Sequence, residues 1–170
     1  MASKYIDPTA IMQVIGCVFN TPQLLDFTDK YTITDEDFPD DFHKIAFGAI
    51  YKIHELGAEK VTLENINDFL SMRPKSEATF KVNKGEEWLL KVADSAKALS
   101  FDYYYQRLKK MTLLRAYDNI GLDVSFIYDA NNILDTQYKE TGTILMPGRW
   151  FNLGLRFRTN FNTGTQPEEK

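Results

Sequence analysis

The amino-acid sequence predicts an all-α fold over most of its 170 residues: a compact helical bundle, then a long helical hairpin, then a β-like or disordered C-terminal tail. Three observations carry this expectation. Apolar residues recur at helical spacing between recognisable cap signals, a strand-like alternation appears after residue 138, and the composition is that of one globular unit. Hydrophobic residues make up 44%, charged residues 26% and aromatic residues 14%, with 9 Gly and 6 Pro, which excludes disordered, collagen-like and low-complexity chains. A chain of this length buries about 70% of the surface it exposes when unfolded, enough for a core without disulfides or a structural metal. The expected organisation is a helical subdomain over 1–100, an oligomerising hairpin over 101–137 and an atypical tail over 138–170.

The first helix is predicted to start at Asp7 and Pro8, because aspartate can accept from the free amides of a first turn and proline already holds the helical φ. Ile11, Val14, Ile15 and Val18 then share one face, and Asn20, Thr21 and Pro22 stop this helix and start a short one through Leu24 and Leu25. The stretch 34–57 opens with acids and closes at Gly57, with Phe42, Ile45, Ala46, Ala49, Ile50 and Ile53 at helical spacing between them. Thr62 and Asn65 form an imperfect capping box ahead of Ile66, Phe69 and Leu70, and that helix ends before Pro74. Residues 73–85 read as a polar connection whose Lys75, Lys81 and Lys84 are solvated loop charges. Trp88, Leu89, Val92 and Ala96 place a helix over 86–98, and Ser100 stands where it can cap the next.

The last periodic segment is the longest. Tyr104, Leu108 and Met111 form one stripe, while Leu113, Tyr117, Ile120, Val124 and Ile127 repeat in steps of four, three, four and three, the spacing of a coiled-coil seam. A helix of about 28 residues would run to about 40 Å, longer than a small domain is wide, so part of its apolar side is expected against another helix or another chain. Gly121 counts against one unbroken helix.

Several chemistries are excluded or disfavoured. Cys17 is the single cysteine, so there is no internal disulfide framework and no multi-cysteine zinc site. It reads as a small apolar residue of the first helix. His43 and His54 are the only histidines, about 16 Å apart along a helix, too far to share an ion, and both read as partly buried structural residues. Asp35, Glu36, Asp37, Asp40 and Asp41 lack the glycine and ligand spacing of a calcium loop and read as solvated acids favouring the start of the following helix. No Gly-rich loop ending in Gly-Lys-Ser/Thr occurs, which removes the usual nucleotide-hydrolysis motif. No cofactor is expected. A net charge of −4 disfavours coating nucleic acid through bulk electrostatics. Neither a signal peptide nor a membrane span is seen, and a cytoplasmic location is expected.

The order of features resembles the N-terminal domain of DnaB-type replicative DNA helicases over residues 8–137. Val14, Ile15, Gly16 and Cys17 match a short motif of the first helix, and Asp37, Phe38, His43, Ile45 and Phe47 match an Asp-Phe, spaced His, Ile-Phe signature. Val61 and Thr62, then Gly85, Trp88 and Leu89, then Tyr103, Tyr104 and Tyr105 follow in the family's order, with Arg115 where the long helix carries an arginine. The resemblance implies a non-catalytic module whose helical hairpin pairs with that of a neighbouring subunit in a hexameric collar. Its interface residues would be Leu113, Tyr117, Ile120, Val124 and Ile127 on the first arm and Ile133 and Leu134 on the second. The implied partners are further copies, as dimer or hexamer, and primase, a helicase loader or the full-length helicase, with DNA contact weak or indirect. The family's motor domain has no counterpart here, so the chain itself is expected neither to hydrolyse ATP nor to unwind DNA.

The tail departs from that pattern. Phe151, Leu153, Leu155, Phe157 and Phe161 alternate with Asn152, Gly154, Arg156, Arg158 and Asn160, which is a strand period. The stretch from about 132 to 161 is similar to the C-terminal strand of TonB-dependent outer-membrane receptors, giving an alternative reading as a fragment or chimera related to such a receptor. One strand cannot close a barrel, so no membrane channel follows. Arg149, Trp150, Arg156 and Arg158 combine arginine with an aromatic ring, the residue types that contact single-stranded nucleic acid.

Overall fold

The computed structural model describes residues 5–122, all within the first of the two units into which the chain divides, Met1–Asp135. Among the described residues there are six α-helices and no strand. They are α1 (Pro8–Asn20), α2 (Asp41–Glu55), α3 (Leu63–Ser71), α4 (Pro74–Val82), α5 (Gly85–Ser95) and α6 (Phe101–Asn119). Short 3-10 turns cover Pro22–Asp26, Asp35–Asp37 and Ala98–Ser100.

Helix α1 starts as its sequence dictates. The Asp7 carboxylate accepts from the Ala10 amide at 3.0 Å, and Pro8 occupies the first turn. Ala10, Ile11, Val14, Ile15, Cys17 and Val18 are all buried, so α1 runs through the core and packs chiefly against α5 and α6. Gly16 makes that crossing close: a Cβ there would lie 2.4 Å from the Val92 carbonyl oxygen. Gln13 seals the far end of the same contact, donating to the Ser95 carbonyl and accepting from the Lys97 amide, each at 2.9 Å.

Helix α2 is capped by Asp40, whose side chain accepts from the Phe42 amide. It ends at Gly57, which takes φ +98° and sends its amide to His54, while Ala58 bonds back to Ile53. That is a Schellman stop, for which glycine carries no steric penalty. The imperfect box before α3 forms in full, with Thr62 accepting from the Asn65 amide and Asn65 accepting from the Thr62 amide.

Four expectations are corrected. Residues 73–85 are not a loop: Pro74 opens α4, Phe80 drives into the core, and Lys81 pairs with Glu77 one turn earlier. One buried aromatic and a proline at the first turn suffice for a helix whose other faces are polar. Among the acids before α2, Asp37 is not solvated but completely buried. The last helix stops at Asn119 instead of continuing toward residue 128. Gly121 takes φ +80°, its amide bonds to Asp118 and that of Leu122 to Tyr117, a second Schellman stop that ends the helix where the glycine lies. Ser100 precedes α6 without giving it a side-chain cap.

Candidate interaction surface

Helix α6 has two apolar faces with different fates. Phe101, Tyr105 and Leu108 belong to the main core, and Met111 and Leu114 join Tyr5 in a smaller cluster beside it. The Tyr31 ring stands edge-on to Phe101 and Tyr105 at 4.9 and 5.1 Å, and the Tyr105 hydroxyl accepts from the Thr32 amide at 3.0 Å. Leu113, Tyr117 and Ile120 point elsewhere. At about 100° per residue they fall within about 60° of one another and about 140° around the helix from the core stripe. Their exposures are 52%, 38% and 72%, so an apolar stripe at coiled-coil spacing faces solvent along the second half of the helix.

What holds that face outward is a polar joint on the inner side. The Asp37 carboxylate accepts from Lys109 Nζ at 2.9 and 3.0 Å, from the Thr112 hydroxyl at 2.7 Å and from the Thr34 amide at 2.8 Å. Arg115 spans the same region, donating to the carbonyls of Tyr5, Glu36 and Asp37 at 2.9–3.0 Å. Burial lowers the Arg115 guanidinium pKa, and the adjacent Asp37 charge counters that. Lys109, Thr112 and Arg115 follow one another at three-residue steps, so one side of α6 grips the turn Asp35–Asp37. A carboxylate already surrounded by protein donors is a structural joint, not an open acid or base. A second tie at the helix start, Arg107 Nε to Asp7 at 2.7 Å, joins α6 to the cap of α1.

Read by charge alone, Asp37 was one solvated acid among five, and only the resemblance singled it out together with Arg115; the further signal was Lys109, Thr112 and Arg115 beside the core stripe of α6, since cations placed there need an acid. The two histidines and the cysteine sit in packed or hydrogen-bonded positions. His43 packs against the rings of Phe42 and Trp88, and burial lowers its pKa against the pull of Asp40. Both ring nitrogens of His54 face acceptors, Nε2 to Asp26 at 2.7 Å and Nδ1 to the Ala58 carbonyl at 3.1 Å. Burial works against the charged ring, but these two acceptors outweigh it and the His54 pKa is raised. Cys17 is buried, which raises its thiol pKa.

Among the sequence-derived interface residues, the structure brings Leu113, Tyr117 and Ile120 together on one exposed face. Val124, Ile127, Ile133 and Leu134 lie outside the described residues, as do Arg149, Trp150, Arg156 and Arg158 and the whole tail. No helix among the described residues is long and apolar enough to cross a membrane, and no group of three or more metal-ligating side chains occurs among them.

Over 134 residues the chain is 37% identical to the SPbeta prophage-derived uncharacterized protein YorI of Bacillus subtilis (strain 168). The match takes in 79% of this chain but 26% of that relative, so the chain spans about a quarter of the relative's length. No protein-family model matches the sequence. No solved structure matches it either.

Proposed function

We propose that this helical domain is a non-catalytic oligomerisation and partner-docking module of a DnaB-type replicative helicase, acting in DNA replication. The observation that carries the reading is the exposed stripe of Leu113 and Tyr117 on α6 and Ile120 at its C-cap, an apolar surface at interhelical spacing that the domain's own core leaves uncovered. Other features support it. The residues of the family resemblance are working parts of the fold: Gly16 permits the α1–α5 crossing, Asp37 and Arg115 fasten α6, and Trp88 packs on Phe42 and His43. A module that accounts for 26% of a longer relative fits a division of labour in which other domains carry the motor. The relative's prophage origin extends the proposal to a replication system carried by a phage genome. On this reading the module needs no cofactor, self-associates as dimer or hexamer, and offers its collar to primase or a helicase loader.

The test is light-scattering mass over a concentration series for the full chain and for Leu113→Lys/Ile120→Lys. Burying one such side chain stabilises an interface by about 1.5–3 kcal/mol, so the double change is expected to weaken self-association at least a hundredfold. Both positions are exposed, so helix content should be unchanged. A mass insensitive to the double substitution, or monomeric wild-type protein throughout, refutes the α6 stripe as an interface.

A further inference from the structure

His54 stands where three segments meet. It lies in the last turn of α2, between the turn Pro22–Asp26 and the chain just after Gly57. Two oxygens bracket its ring: Nε2 is 2.7 Å from the Asp26 carboxylate and Nδ1 is 3.1 Å from the Ala58 carbonyl. A carboxylate and a carbonyl both accept and neither donates. A neutral imidazole has one N–H and one bare nitrogen, so it satisfies one of these oxygens and turns a lone pair toward the other. Only the imidazolium, with two N–H groups, makes both bonds at once.

The surrounding charges agree with that geometry. Burial opposes the charge on the ring, while the bonds to Asp26 and Ala58 and the Asp26 charge favour it. Asp26 is the one charged residue of its turn, and α1 carries none. On α2 itself Lys52 and Glu55 pair with each other at 2.5 Å, and Glu59 and Lys60 beyond Gly57 are exposed. Among the described residues, those of α3 and α4 included, Asp26 is the one charged side chain that acts on the ring.

Loss of the proton breaks one bond, and hydration selects which. The Asp26 side chain is 62% exposed, so water replaces the ring at its carboxylate. The bond to Ala58 is partly buried, and a backbone carbonyl withdrawn from water is costlier to leave unpaired. The neutral ring therefore keeps its proton on Nδ1. Gln23, whose Nε2 donates to the Glu59 carbonyl at 2.6 Å, is then left to tie the turn to the chain after α2.

We infer that His54 is a proton-operated clasp: charged, it fastens the turn Pro22–Asp26 to the end of α2 and the chain beyond; neutral, it holds Ala58 and releases Asp26. The chain leaving that turn carries Tyr31 to its place against Phe101 and Tyr105, so the clasp sits at the root of a segment that supports α6. None of this depends on the α6 stripe being an interface.

The experiment is nitrogen-15 magnetic resonance of the full chain from about pH 5 to 8, with amide exchange corrected for its intrinsic pH dependence. His43 is the one other histidine, so two ring systems need assignment. His54 is expected to titrate at higher pH than His43 and, above its midpoint, to show the Nδ1–H tautomer. Protection of the Leu24 amide, which bonds the Thr21 carbonyl, should fall about fivefold across that midpoint while that of Ala58 holds. Asp26→Asn keeps an acceptor oxygen but removes the charge, so the midpoint and the loss of protection should move together to lower pH. The inference is overturned by an Nε2–H tautomer, by Leu24 protection that ignores the midpoint, or by a midpoint that Asp26→Asn leaves in place. A fall shared equally by the Ile50 amide within α2 would also overturn it, since that reports unfolding of the whole domain and not release of one turn.

Discussion

Removing the Asp37 carboxylate is the sharpest perturbation of the joint that orients α6. In Asp37→Ala, Lys109 loses both short contacts, the Thr34 amide loses its acceptor, and the space of a fully buried side chain is vacated. Thr112 keeps a partner, since its hydroxyl also bonds the Leu108 carbonyl at 3.1 Å. Breaking a buried ion pair by deleting one member costs about 3–5 kcal/mol, because the other charge is left without compensation. Lys109 retains 32% side-chain exposure and can recover part of its hydration, so the expected loss falls to about 2–4 kcal/mol. With a urea dependence of about 1.5 kcal/mol per molar, the unfolding midpoint should drop by about 1.3–2.7 M. Glu36→Ala is the control: its side chain is exposed and only its backbone carbonyl holds Arg115, so a change within about 0.5 kcal/mol is expected. Combining Asp37→Ala with Lys109→Met should recover some of the loss by removing the stranded charge. If Asp37→Ala unfolds at the same urea concentration as Glu36→Ala, the joint does not anchor α6 and the reasoning fails.

Two glycines give opposite outcomes for the same change. Gly16→Ala places a Cβ 2.4 Å from the Val92 carbonyl oxygen and 3.1 Å from the Ala96 Cβ, so α1 and α5 must separate; a net loss of about 2 kcal/mol is expected in thermal melts. Gly48→Ala, with nothing within 4 Å, should gain about 1 kcal/mol from helix propensity, and equal effects at the two sites would contradict the close crossing. The histidines should give pH dependences of opposite sign. His54 has its folded pKa raised above 6.5, so its contribution is fully present below that value and fades as pH rises through the folded pKa. His43 has its folded pKa lowered from 6.5, so it costs stability as pH falls below 6.5 toward the folded value. Urea melts from pH 5 to 8 should therefore show His54→Gln losing more stability in acid and His43→Leu losing less in acid, relative to wild type; a His54→Gln curve parallel to wild type would remove the Asp26–His54–Ala58 link as its source.

Local signals determined where the helices begin and end. Asp7 with Pro8, Asp40, the Thr62–Asn65 box, Gly57 and Gly121 act through bonds that span five residues or fewer, so their consequences can be read in one dimension. Periodicity likewise separated the core stripe of α6 from the line of Leu113, Tyr117 and Ile120, because both are angles about one axis. The alternative to burial was equally legible: a stripe that the inner face cannot cover must meet something else or stay wet.

Only the tertiary structure decided what long-range contacts fix. Asp37 looked like one acid among five until Lys109, Thr112 and Arg115 arrived from more than seventy residues away and enclosed it. Residues 73–85 lacked an apolar period, and their helix is held by a single side chain, Phe80, whose pocket other helices supply. The need for Gly16 lies in the Val92 backbone. The sequence by itself determined the all-α class, the starts of α1, α2 and α3 and the spacing of the exposed stripe; packing decided which polar groups are buried, which weakly patterned segment becomes helical and which apolar residues remain outside, since each depends on surfaces brought together from distant parts of the chain.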